Sequence, residues 1–315
     1  MVQKVGLIMY DCIIVAGPTA SGKTKVSIEL AKRLNGEIVN ADSMQVYKEL
    51  NIGTAKATRE EMENIPHHML DVADKFDEFT VSDYRALALP IIKDIIARGK
   101  TPIIVGGTGF YINSLLFEMD YGNASKDESI REKYESLAKE HGNQYVYDIL
   151  KSVDIDSAEK LHSNDLKRVI RALEIYETTG VKKSTMQNTM QTFNTGINPL
   201  IIGLSMCREK LYSRINQRVD IMVNDGLIEE VKSLMDMGLN ESHQSMSGIG
   251  YKEIVPYIKG EMSKEDSIML LKQNTRHYAK RQITWFKKVP TINWIDLTDG
   301  LNEEILDNII DMYKK

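Results

Sequence analysis

The sequence predicts an α/β fold in which helices flank a parallel sheet. A glycine-rich loop, Gly17–Thr24, lies between an apolar run and an amphipathic segment, and this strand–loop–helix order is typical of a phosphate cradle. Short apolar runs alternate along the chain with helical segments, as they do in sheets covered on both faces. We therefore expect a P-loop NTPase-like sheet, into which an all-helical domain is inserted.

The predicted strands are Cys12–Ala16, Glu37–Asn40, Pro102–Val105, Pro199–Leu204 and Thr291–Ile295. Between them the clearest helix is Ser82–Arg98, whose apolar face holds Leu87, Ile91, Ile92 and Ile95. Ligands of such sheets bind outside the carboxyl ends of the strands. The loops after Ala16, Asn40 and Val105 therefore form the candidate site.

The stretch 123–191 is charged and is predicted as successive short helices. Its clearest helix begins near Ser163-Asn164, where a side-chain oxygen can cap it, and continues through Leu166, Val169, Ile170 and Leu173. The predicted domains are thus a catalytic core of residues 1–122 and 192–315, which includes the C-terminal helices, and a helical insertion of residues 123–191.

The composition is that of an ordinary globular protein, with 42% hydrophobic and 27% charged residues among 315. No apolar run approaches the ~20 residues that span a bilayer, and the first ten residues lack the features of a signal peptide. Cys12 and Cys207, the two cysteines, form neither a disulfide framework nor a zinc pattern. We expect a cytoplasmic protein with no membrane partner.

The net charge of −5 weighs against a nucleic-acid partner, but local charge matters more than the total. The stretch 272–288 contains no Asp or Glu, and its basic residues are Lys272, Arg276, His277, Lys280, Arg281, Lys287 and Lys288. In the Arg276–Phe286 segment aromatic residues interleave with these cations, so bases can stack where phosphates are neutralised. Core packing of Trp285 and Phe286 is the alternative.

The P-loop predicts a diphosphate site formed by Gly17, Pro18, Thr19, Ala20, Ser21, Gly22, Lys23 and Thr24. Backbone N–H groups and the positive end of a helix point at the anion. Lys23 adds a charge, and the Thr24 hydroxyl is placed to bind Mg²⁺, the only metal that we expect. The pattern is equally typical of ATP binding, so the group attached to the diphosphate is left open.

Two further segments follow predicted strands. In the Asp42 segment, Asp42–Tyr47, the carboxylate can bind Mg²⁺ through water, accept a proton from a nucleophile, or cap the next turn. Gln45 can bond a base edge or face solvent. The glycine turn, Gly106–Gly109, stands where many phosphotransferases have a metal-binding acid. Its glycines either allow another molecule to approach closely or simply form a sharp turn. Thr108 within it has a hydroxyl that can donate or accept a hydrogen bond.

On the predicted helix near Asn164, Lys167 and Arg171 are four residues apart with Arg168 beside them, which places at least two cations opposite its apolar face. Such a face is either solvated or bound to phosphate. A glycine turn before a helix, Ser247–Lys252, is a weaker signal of the same kind.

Together these segments resemble the bacterial tRNA dimethylallyltransferases, also called tRNA isopentenyltransferases, over nearly the whole chain. The matching segments are Gly17–Thr24, Asp42–Tyr47, Gly53–Lys56, His67–Asp71, Val105–Tyr111, Arg168–Glu174, Arg214–Leu227, Gly250–Glu253 and Thr275–Phe286. The P-loop alone does not select this family. The Asp42 segment, the glycine turn and the Arg276–Phe286 segment in this order are far more specific.

The resemblance implies transfer of a dimethylallyl group from dimethylallyl diphosphate to N6 of adenosine 37 in tRNA, with release of diphosphate. It implies that Asp42 accepts the proton and that Lys23 and Mg²⁺ stabilise the leaving group. Thr108 and Arg218 match positions that hold the acceptor and the diphosphate. Some eukaryotic relatives add a C-terminal zinc finger, and this chain lacks the cysteines for one.

The resemblance also implies a grip on the tRNA anticodon stem-loop by Asp42, Ser43, Met44, Gln45, Thr108, Lys167, Arg168, Arg171, Gly250, Tyr251, Lys252, Arg276, Lys280 and Arg281. A monomer suits an enzyme that wraps one stem-loop. The alternative function is that of a P-loop small-molecule or nucleotide kinase using ATP, which leaves the glycine turn and the Arg276–Phe286 segment without a role. A non-enzymatic RNA-binding protein needs neither Lys23 nor Asp42.

Overall fold

The structure, a computed structural model, describes residues 10–117, 127–186, 195–289 and 291–315. The chain divides into two compact units, the first formed by Met1–Leu116 and Phe193–Lys315 and the second by Phe117–Thr192. The predicted domain boundaries at 122/123 and 191/192 lie outside the described residues. So does most of the N-terminal stretch that lacks signal-peptide features.

The first unit contains a parallel sheet of six strands, which confirms the predicted α/β class. The strands are β1 Cys12–Ala16, β2 Gly36–Asn40, β3 His67–His68, β4 Thr101–Gly106, β5 Pro199–Ser205 and β6 Asn293–Asp296. Their order across the sheet is β3-β2-β4-β1-β5-β6. Each predicted strand overlaps an observed one. The edge strand β3 was not predicted, because two residues carry no periodic pattern.

The helices are α1 Lys23–Arg33, α2 Val81–Ala97, α3 Gly109–Leu116, α4 Glu128–His141, α5 Asn143–Val153, α6 Ile155–Ala158, α7 Leu166–Thr179, α8 Arg208–Asn224, α9 Leu227–Asp236, α10 Val255–Ile258, α11 Lys264–Phe286 and α12 Glu303–Lys314. Thr80 and Asp83 form a capping box that starts α2, so the helix predicted there is confirmed within one residue. Among the described residues, no helix is both long and apolar enough to cross a bilayer.

Helices cover both faces of the sheet. On one face α1 and α12 bury a core with the strands that includes Ile13, Val15, Val26, Leu30, Ile103, Ile202, Leu306 and Ile309. Elsewhere α2 packs against β2 and β4. The buried Tyr84 of α2 donates a hydrogen bond to the carbonyl of Asn40 at 3.0 Å, which ties this helix to the carboxyl end of β2.

The second unit consists, in its described part, of α4 to α7 and a short 3-10 helix at Lys183–Thr185. Its core is formed by Tyr134, Ala138, Val146, Leu150, Ala158, Val169, Ile170, Ala172 and Leu173. The predicted helical character is thus observed, but the predicted cap of α7 is wrong. Asp165 precedes the helix without a side-chain cap, and the Asn164 N–H donates instead to His162 Nδ1 at 3.1 Å, within the preceding turn.

The buried carboxylate of Glu37 is the centre of an ion-pair network on one side of the sheet. Glu37 of β2, whose side chain is 4% exposed, accepts hydrogen bonds from both Nη atoms of Arg98 at 2.6 and 2.8 Å. Lys100 Nζ lies 2.7 Å and His68 Nε2 2.8 Å from the same carboxylate. These contacts, those of Arg98 first, hold the pKa of Glu37 well below its usual range, against the opposing effect of burial.

We expect Glu37→Gln to lower the free energy of unfolding at pH 7 by about 2 kcal/mol, because hydrogen bonds to a charged group are lost. The folded-state pKa of Glu37 is depressed, so its stabilisation is present above the unfolded pKa and disappears as the pH falls towards the folded value. Urea titrations at decreasing pH should therefore show a shrinking difference from the wild type. The exposed Glu261→Gln is the control, and a difference that stays constant down to pH 3 contradicts the ion-pair account.

Candidate active site

The strand order brings three loops side by side at the carboxyl edge of the sheet. Because β4 lies between β2 and β1, the glycine turn lies between the P-loop and the Asp42 segment. The Ala41 N–H donates to the carbonyl of Val105 at 2.7 Å, and the Thr108 N–H donates to the carbonyl of Ala41 at 3.2 Å. The exits of β2 and β4 are thus bonded to each other directly.

The glycines of the glycine turn are explained by the protein itself. A Cβ at Gly106 would lie 2.0 Å from the carbonyl oxygen of Ala41, and one at Gly107 would lie 2.0 Å from Gln282 Nε2. A Cβ at Gly109 would lie 2.2 Å from Trp285 Nε1. Backbone and side chains of the same chain thus fill the space on the Cβ side of each glycine, as the alternative of a sharp turn expects. The approach of another molecule to this turn stays a prediction.

The P-loop has the backbone of an anion cradle. Gly17 and Gly22 have φ of 153° and 95°, a region that glycine enters without a steric cost, and Gly22 precedes the first turn of α1. Lys23 Nζ donates to the carbonyls of Gly17 at 3.1 Å and Pro18 at 2.8 Å. Ser21 Oγ is buried and has no hydrogen-bond partner among the described residues, so the loop holds an unsatisfied hydroxyl.

Cations from two helices lie near the P-loop. Burial and, to a smaller extent, the charge of Arg218 lower the pKa of Lys23 to about 8, while Asp42 acts in the opposite direction. Burial also lowers the pKa of Arg218. One turn earlier on α8, Arg214 Nη1 would lie 4.0 Å from a Cβ at Gly22. Arg214 was missed as a site residue, although its spacing of four from Arg218 indicates a shared helix face.

Asp42 is held in a defined orientation beside these cations. Its Oδ1 accepts a hydrogen bond from the Met44 N–H at 2.9 Å, so the alternative in which Asp42 caps the following turn describes the geometry correctly. The carboxylate is also near enough to raise the pKa values of Lys23 and Arg218. Capping and proton acceptance are compatible, since the turn fixes the group that would act as a base.

The Thr108 hydroxyl joins the glycine turn to the Asp42 segment. It accepts a hydrogen bond from the Ser43 N–H at 3.0 Å and donates to the Ser43 hydroxyl at 3.3 Å, and Tyr278 lies near it. Burial first, and Asp42 second, raise the pKa of Tyr278 above its ordinary value. Tyr278 was not predicted as a site residue.

Gln45 and Met44 make contacts within the protein. Gln45 Nε2 donates to the carbonyls of Thr54 at 3.0 Å and Ala55 at 3.3 Å, so its amide supports the neighbouring loop. Met44 packs on Gly248, where a Cβ would lie 2.7 Å from the methionine sulfur. These contacts hold the Asp42 segment in place, and readout of a base by Gln45 stays a prediction.

Tyr251 supports the loop at residues 51–55, which Gln45 also contacts. Glu230 accepts hydrogen bonds from the N–H groups of Asn51 at 3.0 Å, Ile52 at 2.8 Å and Gly53 at 3.0 Å, and the Tyr251 hydroxyl donates to it at 2.7 Å. Tyr251 is 0% exposed. Its predicted contact with RNA is therefore wrong for the side chain as folded, because the ring packs on Gly53.

Neighbours of Tyr251 differ in exposure. Gly250, predicted with it, is buried as well, whereas Lys252 is exposed.

The Arg276–Phe286 segment lies on α11 and divides between core and surface. Phe286 is 1% exposed, so the core alternative is correct for it, while Trp285 packs on the Phe110 ring with centroids 4.6 Å apart. Arg276 Nη1 donates to Asn216 Oδ1 at 2.7 Å. The exposed cations are Lys280 and Arg281.

In the second unit, two of the three predicted cations of α7 are exposed and the third pairs with a buried carboxylate. Lys167 and Arg168 are exposed, and Arg168 Nε lies 3.2 Å from the carboxylate of Asp165. Arg171 Nη1 donates at 2.6 Å to Glu174, whose side chain is fully buried. Arg171 therefore compensates a buried charge within this unit, and its contact with tRNA stays a prediction.

Comparison with known proteins gives one consistent family. Residues 45–289 match the family model described as IPP transferase. The chain is 50% identical over 301 residues to a tRNA dimethylallyltransferase of Thermoanaerobacter sp. (strain X514), covering 95% of this chain and 96% of that protein.

Solved structures agree. The crystal structure of a full-length tRNA isopentenylpyrophosphate transferase from Bacillus halodurans is similar with a TM-score of 0.70 and 43% identity, covering 96% of this chain and 94% of that one. A eukaryotic dimethylallyltransferase captured acting on tRNA is similar with a TM-score of 0.79 and 35% identity, covering 92% of this chain and 74% of that one.

We expect affinity for inorganic pyrophosphate to depend on the charge of Lys23. Its pKa is lowered to about 8, so the ammonium is neutralised as the pH rises through that value, and binding should weaken about tenfold between pH 7 and pH 9. Because pyrophosphate itself titrates, the measurement is the ratio of Kd values between wild type and Lys23→Arg, determined by calorimetry. A ratio that does not change with pH removes Lys23 from the anion site.

Proposed function

Because the chain belongs to the IPP transferase family, we propose that it transfers a dimethylallyl group from dimethylallyl diphosphate to N6 of adenosine 37 in tRNA and releases diphosphate. One observation carries the proposal: an anion cradle with the half-buried cations Lys23 and Arg218 lies beside the fixed carboxylate of Asp42. A cradle by itself would bind any diphosphate. The carboxylate next to it supplies the base that transfer to an amine requires.

The P-loop and its cations stabilise the leaving group. As the allylic C–O bond breaks, its electron pair stays on the diphosphate oxygen, and the negative charge there grows. N–H groups of the P-loop, the Lys23 ammonium and the Arg218 guanidinium stabilise that charge more in the transition state than in the bound donor. Lys23 exchanges its bonds to the carbonyls of Gly17 and Pro18 for bonds to the diphosphate.

Mg²⁺ is part of the proposal, and the P-loop fits it. The Thr24 hydroxyl lies on the exposed first turn of α1, and Ser21 Oγ is buried without a partner among the described residues. Those residues contain no group of three or more His, Cys, Asp or Glu that could hold a metal, so phosphate oxygens would supply most of its ligands. When bound, the ion neutralises charge on the diphosphate and helps it to depart.

Asp42 and Thr108 serve the acceptor. The adenine amine is a poor nucleophile because its lone pair is delocalised into the ring. As N6 forms its bond to the allylic carbon, Asp42 accepts one N6 proton, which prevents a positive charge from remaining on the nitrogen. The Thr108 hydroxyl, fixed by the Ser43 N–H at 3.0 Å, holds the adenine at this position.

The tRNA must present adenosine 37 outside its stack to reach the strand ends, as other bases that undergo enzymatic chemistry do. We assign the anticodon stem-loop to exposed cations, since phosphate contacts fix position. In the first unit these are Lys252, Lys280 and Arg281, and in the second Lys167 and Arg168. One chain suffices for one stem-loop, so a monomer is proposed.

A direct test compares the two candidate donors. The protein is incubated with Mg²⁺ and unmodified tRNA, and with labelled dimethylallyl diphosphate or labelled ATP. We expect label from the prenyl donor on tRNA, at N6 of adenosine 37 after digestion to nucleosides. Phosphate transfer from ATP to a small acceptor would instead support the kinase.

We expect Asp42→Asn to lower the single-turnover rate of transfer about 10²–10⁴-fold, because the amide cannot accept the proton. The amide oxygen can still accept the Met44 N–H bond, so tRNA affinity by filter binding should stay within about twofold. Asp311→Asn, exposed on α12, is the matched control. A loss of tRNA binding as large as the loss of rate contradicts the assigned role and makes Asp42 structural.

Replacing both Lys280 and Arg281 by Ala should weaken tRNA binding and flatten its dependence on salt. Two lost phosphate contacts should reduce the slope of log K against log salt by about one to two. The double replacement of Lys314 and Lys315, exposed at the C-terminus, is the control for total charge. An unchanged slope excludes this surface from the RNA contact.

A further inference from the structure

Gln282 of α11 bridges the two sides of the candidate active site. Its Oε1 accepts a hydrogen bond from the Thr19 N–H in the P-loop at 2.8 Å, and its Nε2 donates to the carbonyl of Gly107 in the glycine turn at 3.0 Å. The side chain is 4% exposed. Both bonds end on backbone, so Gln282 holds loops and has no need to touch a ligand.

The bridge extends to the segment that carries the proposed base. Tyr278, one turn earlier on α11, lies close enough to the side chains of Gln282 and Thr108 for both to lower the pKa of its hydroxyl, against the larger effect of burial. Thr108 Oγ1 accepts the Ser43 N–H at 3.0 Å, and Ser43 follows Asp42 directly. Tyr278 and Thr108 thus lie between Gln282, which contacts the donor cradle, and the segment that carries the proposed base.

The bridge also changes the role expected of Thr19 in the P-loop. Thr19 belongs to the predicted diphosphate site, but its N–H donates to Gln282 Oε1. The contact leaves little freedom, because a Cβ at Gly107 would lie 2.0 Å from Gln282 Nε2. Replacing the glycine or the glutamine therefore displaces one loop relative to the other.

We propose that Gln282 is a positioning residue for the transfer, which sets the distance between the diphosphate cradle and the loops that hold the acceptor. This inference rests on the proposed function. Transfer requires the allylic carbon and N6 to be aligned at close range, and a displacement of about 1 Å can cost about 10²-fold in rate. A residue that acts only on alignment should affect the chemical step more than the affinity for either substrate.

The chemistry of the bridge suggests a reversible test. A protonated carboxyl group can replace the amide of Gln282, since its O–H donates to the Gly107 carbonyl while its C=O accepts from the Thr19 N–H. A carboxylate cannot donate, and it places an acceptor against that carbonyl. Because position 282 is 4% exposed, burial should raise the pKa of a carboxyl group introduced there. Gln282→Glu should therefore be defective at high pH and recover as the introduced group is protonated, whereas Gln282→Leu should be defective at every pH.

The experiment measures single-turnover dimethylallyl transfer at saturating donor and tRNA between pH 6 and pH 8.5. For Gln282→Leu we expect a rate about 10²-fold below wild type at every pH, with each KM within about threefold. For Gln282→Glu the rate relative to wild type should rise about tenfold or more towards pH 6. Gln273, exposed on the same helix, receives the same two substitutions as controls and should give wild-type rates.

The effects of other titrating groups on the rate cancel in the ratio of variant to wild type. Tyr278, beside Gln282 on the same helix, is affected by Asp42 after β2 and by Arg281 on α11. Asp42 in turn acts on Lys23 of α1 and Arg218 of α8. All five groups are present in each variant. Only the introduced carboxyl group distinguishes the pH profile of Gln282→Glu from that of Gln282→Leu.

Two results would overturn the inference: a Gln282→Leu rate within threefold of wild type, or a Gln282→Glu ratio that does not change with pH. If Gln282→Leu fails to fold by circular dichroism, the pH profile of Gln282→Glu decides alone. Failure of the proposed function looks different, since the wild type itself would then transfer no dimethylallyl group.

Discussion

The site depends on a backbone contact that admits no side chain. The exits of β2 and β4 approach so closely that a Cβ at Gly106 would lie 2.0 Å from the carbonyl oxygen of Ala41. Because Asp42 follows Ala41 directly, this approach determines where the carboxylate lies relative to the P-loop. The hydrogen bonds between Ala41, Val105 and Thr108 then keep the loops in register. The position of Asp42 relative to the P-loop is thus fixed by the fold before any ligand binds.

Electrostatics add a second constraint. Burial lowers the pKa values of Lys23 and Arg218, and the charge of Arg218 lowers that of Lys23 further, so folding places two cations where their charge is disfavoured. Asp42 offsets part of this cost. A bound polyanion would offset the rest of this cost, and the cations that bind it are already in position before it arrives. The net charge of −5 for the chain conceals this local excess of positive charge.

The sequence predicted what contiguous patterns encode and missed what distant contacts create. The P-loop, Gly17–Thr24, and the sheet follow from glycine spacing and apolar runs, whereas β3 is too short to leave a pattern. Gln282 was missed because its partner Thr19 lies 263 residues away in the chain; the signal that could have revealed it is a polar residue on the aromatic face of α11. Tyr251 was assigned to the surface because nothing local shows that Glu230 requires its hydroxyl.

The division of the first unit by residues 117–192 has a consequence for biosynthesis. The P-loop and the Asp42 segment leave the ribosome early, but β5, the neighbour of β1 in the sheet, follows only after the whole second unit has been translated. Helix α11, with Gln282, comes later still. A nascent chain therefore exposes an unfinished sheet edge for most of its synthesis. The contact between Gln282 and the P-loop can therefore form only after β1 to β5 have all been synthesised.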